Sequence, residues 1–399
     1  MNILLLAPQP FFQNRGTPIA VKLVLESLSI QGHRIKVLTY PEGENVELAN
    51  CEILRLPAVP GLKNVKPGLS WKKIVYDLLM FFKARRLARQ HRFDLIHAVE
   101  ESAFIAKSIT KSFGIPYVYD MDSSLAQQVV EKYGFLSFLL PFLEQIEKTA
   151  IKSSIGVIPV CKSIEDTVLK YEPDKLVQRL EDISLLSRED IDVIEQGEKI
   201  NVDGAVIMYI GNLEKYQGID LLLESFQMVS QTVKDAHLVI IGGAERDINS
   251  YKDRSVELGI ARKTLFMGPR PLSDLGFYFE QADILVSPRF KGYNTPMKIY
   301  SYLDSGKAVL ATRLLTHTQV LDDEIAYLVE PNAQSMASGM LELLRNESLR
   351  NRLADQARQR VQEEYTFEAY QRKLCGFYGI LEKKLSLLSA NQTLRHQQF

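Results

Sequence analysis

The sequence is poor in cysteine, in tryptophan and in net charge, and each shortage narrows what the chain can be. Three cysteines, Cys51, Cys161 and Cys375, have neither metal-ligand spacing nor an even count, and they fit a reducing compartment. A net charge of −1 supplies no global field for nucleic acid, so any basic patch must be local. Charges interrupt every long apolar stretch before it could cross a bilayer, so no membrane span is expected. The opening MNILLLAPQP runs directly into a strand, with no basic region and no small-residue cleavage site. No signal peptide is expected, and the location expected is the cytoplasm.

What is present is a chain of 399 residues, 46% hydrophobic and 24% charged, long enough for two ordinary domains with a core each. Residues 2–7 are an apolar strand, 14–21 (NRGTPIAV) lead into a helix of 3.6 spacing, and HRIKVLTY is the next strand. Such βαβ units imply a parallel sheet with crossovers on its faces. Glu52–Leu56, Asp94–Ala98 and IPYVYDM continue the pattern to about residue 170, which makes one doubly wound domain. Residues 171–204 are charged and without clear period, as befits an interdomain connection. From Ala205 the alternation restarts as AVIMYIG, HLVIIGG and TLFMG, a second doubly wound domain over 205–366. The expected fold class is therefore α/β, two Rossmann-like domains facing a cleft at the carboxyl ends of their strands. The end beyond about Leu387 is polar and expected to be loose.

Residues 282–312 carry the strongest local chemistry. The strand Ile284–Val286 breaks at Ser287-Pro288-Arg289, crosses a loop with Gly292 and Asn294, and restarts as a helix after Thr295-Pro296. Thr295 suits an N-cap and Pro296 the first helical position. The bare N–H groups of such a helix start attract anions, and Arg289 and Lys298 add fixed positive charge. Gly306 then closes the helix before the strand AVLAT, completing a phosphate-binding α/β unit.

Two segments stand outside this scheme. Residues 70–93 combine Trp71, Ile74, Val75, Leu78, Phe81 and Phe82 with seven Lys or Arg, and 134–152 are also unusually apolar. Basic amphipathic helices bind anionic lipid, which makes an inner membrane face a candidate partner. The alternative is that both are crossover helices packed on the sheet.

The motifs together resemble the family 4 retaining glycosyltransferases of the two-domain GT-B fold (glycosyl transferases group 1). YIGNLEKYQGIDLLLESF, HLVIIGGAE, the 282–312 segment and LVEPNAQSMASGMLELL with ARQRVQEEYTFEAY carry the resemblance over most of the chain. It implies transfer of a sugar from a nucleotide-diphosphate donor to a glycan or lipid-linked acceptor, with retention, without a metal or other cofactor, and without nucleic acid as partner. It also implies a donor-binding carboxyl domain, an acceptor-binding amino domain, and a last helix over 367–399 that returns to the first domain.

Carried onto this sequence, the resemblance shows departures. Where the family places an Arg and a Lys on the diphosphate, after Gly211, this chain has Asn212 and Gln217. Where it places two glutamates, the second on the ribose, this chain has Tyr293 and Ser301. Three readings are open: catalysis is lost, the donor is unusual, or the charges have moved to Arg289, Lys298 and Lys215. Relocation is preferred, because a decayed site has no reason to keep cations beside a helix start.

Other candidates follow from position. Gly16 and Thr17 lie between the first strand and helix, where backbone approaches a phosphate or acceptor. His97, expected at a strand end beside Glu100, has the chemistry to orient an acceptor hydroxyl. Asp120-Met121-Asp122 is the D-x-D spelling of metal-dependent transferases, yet here it ends a strand in a fold that the resemblance makes metal-free. Asp122 matches a family histidine that contacts the sugar; the alternative is a helix cap. Gly242, Gly243 and Glu245 follow one strand, and Gly268 with Arg270 follows another, at the turn the family uses for the base. Thr316-His317-Thr318, after the strand AVLAT, is expected at the cleft edge; its function is open, and a loop without a role is the preferred reading. Rival functions are a catalytically silent homologue that binds donor or a partner enzyme, and another enzyme class on the same architecture, a nucleotide-sugar epimerase or a phosphorylase. A nicotinamide dehydrogenase lacks its G-x-G-x-x-G after the first strand.

Overall fold

The computed structural model describes residues 1–399 except 14–15, 64, 66–69, 127–128, 130–137, 187–196 and 397–399, and side chains through residue 387. The chain forms two compact units, Met1–Glu181 with Phe367–Phe399, and Asp182–Thr366.

The first unit is built on a six-stranded sheet of order β3-β2-β1-β4-β5-β6. Its strands are β1 (Asn2–Ala7), β2 (Arg34–Thr39), β3 (Cys51–Arg55), β4 (Leu95–Val99), β5 (Tyr117–Met121) and β6 (Gly156–Pro159). All pairings are parallel, as continuous apolar strands demand when both faces are covered. Helices 16–30, 71–90, 102–113, 140–153 and 162–171 supply the crossovers. Gly114 stops helix 102–113 in the left-handed region at φ 72°, its N–H donating to the Thr110 carbonyl. The final helix, Phe367–His396, belongs to this unit and runs through the stretch expected to be loose. Apolar residues in its earlier turns, Leu374, Phe377, Tyr378 and Leu381, are buried and anchor it.

The second unit repeats the design with the order β12-β11-β10-β7-β8-β9. Here the strands are β7 (Val206–Ile210), β8 (His237–Ile241), β9 (Thr264–Gly268), β10 (Ile284–Ser287), β11 (Ala308–Thr312) and β12 (Tyr327–Val329). Buried residues from both faces of this sheet form two core clusters.

The expected free connection over 171–204 is corrected where the structure describes it. Val177 bridges to Val157 of β6, and the Leu180 N–H donates to the Pro159 carbonyl, so the stretch to Glu181 extends the first unit. Ile183 and Ile200 are buried in the second unit. Apolar residues at wide spacing give no period to read, but they are enough to pin an irregular segment. Residues 187–196 lie outside the described residues.

Candidate functional site

In a doubly wound sheet the ligand crevice opens where strand order reverses, at the carboxyl ends of the two strands flanking the switch. In the second unit that point lies between β7 and β10. The loops leaving those strands hold Gly211 and Asn212 on one side and Pro288 and Arg289 on the other.

These loops fit together because glycines remove side chains from them. Gly218, at φ 81°, could carry no Cβ without running into the Pro288 carbonyl oxygen, and Gly242 stands in the same relation to the Gly211 carbonyl. A Cβ on Gly211 would lie 3.0 Å from the Tyr209 hydroxyl and 3.2 Å from Lys298 Nζ. Gly243 packs against Leu213 and Ile248, while the Gly268 carbonyl accepts from the Gly242 N–H at 2.8 Å.

Lys298 enters this crevice. Its ammonium lies 3.8 Å from the centre of the Tyr209 ring and 3.4 Å from the Gln217 Oε1 it donates to. Burial, reinforced by the positive charge of Arg289, holds its pKa well below the usual lysine range. Arg289 stacks its guanidinium over Tyr216 at 4.9 Å and donates to the carbonyls of Lys291 (2.8 Å) and Asn294 (3.1 Å). The loop is further fixed by three side chains that donate to its carbonyls. Thr312 reaches Arg289, Thr316 reaches Asn294 at 2.6 Å, and Gln319 reaches Tyr293 at 2.6 Å. The result is a rigid, cation-bearing cradle in which dispersed negative charge would relieve the repulsion between Lys298 and Arg289.

His317, expected in a loop, lies in the short helix Leu315–Thr318 beneath this cradle and is fully buried. Its Nε2 pairs with Ser287 Oγ at 2.9 Å, and Nδ1 lies 2.9 Å from the Thr312 carbonyl it donates to. Desolvation pushes its pKa down to about 3; the Thr312 carbonyl opposes this, and the charges of Lys298 and Arg289 add to it. A buried neutral imidazole thus ties β10 to β11 under the cradle.

Several expectations are corrected. The helix after the loop spans Lys298–Asp304, not a start at Pro296, because the Pro296 carbonyl first accepts from Ile299 N–H in a three-residue turn. Thr295 therefore caps nothing; its hydroxyl is buried with no partner among the described residues. At seven residues this helix supplies little macrodipole, and the positive charge comes from side chains. Ser301 does not face a ribose, since it is buried and accepts from the Leu185 N–H at 2.9 Å. Asn212 is exposed, with Oδ1 accepting from Glu214 N–H at 3.3 Å, and Lys215 is exposed on the short turn Lys215–Gln217. Arg270 pairs with Glu198.

In the first unit the order reverses between β1 and β4. Gly16 and Thr17 are the first residues of helix 16–30 there. His97 is not at a strand end but inside β4 and fully buried. Its Nε2 lies 3.0 Å from the Asp120 carboxylate and its Nδ1 2.7 Å from the Tyr378 hydroxyl, so both nitrogens are spent inside the unit. Asp122 follows β5 in a bend and is half-buried. Ser124 and the Leu125 N–H, just beyond, donate to the buried Glu147 carboxylate at 2.9 Å each. Sequence reading missed one further cluster. Lys73 lies 2.6 Å from Glu101 and 3.8 Å from Glu100, and Glu100 holds φ 49°, a conformation rarely adopted outside glycine, asparagine and aspartate. The signal was the Glu-Glu pair just past β4. No cluster able to hold a metal occurs among the described residues.

Residues 190–360 match the family model described as Glycosyl transferases group 1, and residues 15–178 match Glycosyltransferase Family 4. An uncharacterized glycosyltransferase of Methanocaldococcus jannaschii is 22% identical over 92% of this chain and 94% of its own length. D-inositol 3-phosphate glycosyltransferase of Corynebacterium diphtheriae is 26% identical over 44% of this chain and 42% of that protein. Among solved structures, sucrose-phosphate synthase from Thermosynechococcus elongatus superimposes with TM-score 0.74 at 17% identity, covering 96% of this chain and 99% of that one. The Anabaena HepE protein, in complex with UDP and glucose, gives TM-score 0.72 at 14% identity over 95% and 99%. The fold is thus the GT-B fold.

Proposed function

The chain belongs to the group 1, family 4-like glycosyltransferases, and from this premise we propose that it transfers a sugar from a nucleotide-diphosphate donor to a glycan or lipid-linked acceptor. Transfer is with retention, without a metal, at the cytoplasmic face of a membrane. The observation that carries the donor reading is the position of the Lys298 ammonium. It lies against Gln217, one of the two positions where the family resemblance expects a phosphate-binding cation, with Arg289 in the adjoining loop. On this reading a positive charge carried by a different element, the helix that begins at Lys298, serves the place of the expected one. When the bond from sugar to nucleotide breaks, negative charge grows on the leaving phosphate, and donors already fixed around it stabilise that charge without reorganising. Lys298 and Arg289 are the candidates for this work.

A ligand that binds only the folded state raises its melting temperature by mass action. In a thermal-shift panel of uridine, guanosine, adenosine and thymidine diphosphate sugars, one nucleotide class is expected to raise the melting temperature in a concentration-dependent way. Lys298→Ala is expected to weaken that binding by roughly tenfold or more, the value of a charge-assisted hydrogen bond. Acceptor-free release of sugar from the same donor distinguishes an active transferase from a silent homologue, which binds without turnover. Equal donor affinity in wild type and Lys298→Ala would overturn the assignment.

A further inference from the structure

Helix 71–90 has two faces of opposite character. Tyr76, Met80, Ala84, Leu87 and Ala88 are buried against the first sheet and its neighbours. On the other face Trp71, Ile74, Leu78 and Phe82 are 64%, 59%, 56% and 61% exposed. Their spacing of three, four and four residues places them in one stripe along the helix. Four large apolar side chains in a row on a solvent-facing helix are not the scattered exposure of an ordinary surface. The helix is also strongly basic, with six Lys or Arg against the single Asp77, although the whole chain has a net charge of −1. Asp77 does not offset this outward, since it is turned in to accept from the Tyr40 hydroxyl at 2.5 Å. Arg86 and Arg89, four and seven residues past Phe82, continue the same stripe and are exposed.

We propose that this stripe is a docking surface for an anionic lipid bilayer, with Trp71, Ile74, Leu78 and Phe82 entering the headgroup boundary and Arg86 and Arg89 meeting lipid phosphates. An apolar row continued by arginines is complementary to a surface whose interior is hydrocarbon and whose rim is negative. A second copy of the chain is the poorer occupant, because pairing two such helices brings like charges together. A second element supports the assignment. Phe138 and Phe142, beside the start of helix 140–153, are 73% and 64% exposed, and that helix shares the neighbour 102–113 with helix 71–90. On its inner side the docking helix is held rigidly, with Lys73 paired to Glu101 just past the carboxyl end of β4. Docking would therefore bring lipid beside that edge of the first sheet, where a lipid-linked acceptor is needed. The inference deepens the proposed membrane location, and its test uses neither donor nor acceptor, so it stands or falls apart from the transfer reaction.

Trp71 is the sole tryptophan, so tryptophan emission, excited beyond the tyrosine absorption band, reports on this stripe alone. Adding vesicles of phosphatidylcholine with phosphatidylglycerol is expected to shift its emission to the blue and to co-sediment the protein. Phosphatidylcholine alone is expected to do so only weakly, and added salt is expected to reverse the binding. The pair Ile74→Ser/Phe82→Ser, at exposed positions, should keep the wild-type melting temperature and lower the partition coefficient by roughly tenfold per residue. Arg86→Gln/Arg89→Gln should weaken binding to the anionic vesicles by roughly tenfold to thirtyfold and flatten the salt dependence. Unchanged emission with anionic vesicles at low salt overturns the proposal. So does vesicle binding that survives Ile74→Ser/Phe82→Ser, or a lipid-free dimer that this pair dissociates.

Discussion

Burial holds the His317 imidazole neutral, and the positive charges of Lys298 and Arg289 act in the same direction. The consequence for stability has a definite sign. Unfolded, the ring takes up a proton near pH 6.5; folded, it refuses one until about pH 3. Between those values the unfolded state binds more protons, so stability rises with pH and is lost as pH falls through the window, by up to about 1.4 kcal/mol per unit. The His317 ring signal, followed by NMR, is expected to show no titration in the ordinary histidine range. A midpoint near 6.5 would mean that the ring is open to water and that the cradle above it is looser than described. Single residues also show where sequence reading reached its limit. Lys298 and Arg289 were legible as cations around the loop that leaves β10. Tyr209 and Tyr216, which the two cations contact, were hidden because an aromatic residue near a strand end has many possible neighbours. His97 read as a strand-end residue because β4 runs one residue further than its pattern indicated, and Tyr378, its partner, lies 281 residues away.

At the scale of elements, the alternation of apolar strands and helices was legible throughout, because a parallel sheet covered on both faces leaves long apolar runs separated by amphipathic segments. The local start of helix 298–304 was not. Thr-Pro is a good helix opening in isolation, but here the chain makes a tighter turn first, and no sequence rule weighs that against three side chains pinning the preceding loop. The glycine turns are the more reliable feature, since each answers a close approach. Gly218→Ala is expected to cost about 1–2 kcal/mol for a left-handed alanine. It should also push the Pro288-Arg289 loop aside and lower donor affinity, as the added methyl meets the Pro288 carbonyl. Gly259→Ala is the control, because Gly259 has a similar φ of 70° with open space around it. It should lower the melting temperature by a comparable conformational cost and leave donor binding, followed by isothermal titration, unchanged. Equal loss of affinity in both variants would remove the loop contact as the cause.

For the whole molecule, the two sheets repeat one plan, yet the cations flank the strand-order reversal of the second and the acidic cluster that of the first. That asymmetry fits a division of labour between an anionic donor and a hydroxyl-bearing acceptor. Membership of the first unit is closed by the last helix, through a hydrogen-bonded chain from Asp120 to His97 to Tyr378. With Nε2 of His97 donating to the Asp120 carboxylate, Nδ1 is left to accept from the Tyr378 hydroxyl. Tyr378→Phe keeps the ring and its packing but leaves that nitrogen buried and unpaired, a cost of about 1–3 kcal/mol. The loss is expected in the first unit alone, read as faster hydrogen exchange at the amides of β4 and β5. Nucleotide-sugar binding, assigned to residues of the second unit, should keep its affinity. Should Tyr378→Phe leave exchange in β4 unchanged, the chain of contacts is not what fastens the returning helix. Should it instead weaken donor binding, the division of labour between the two units is wrong.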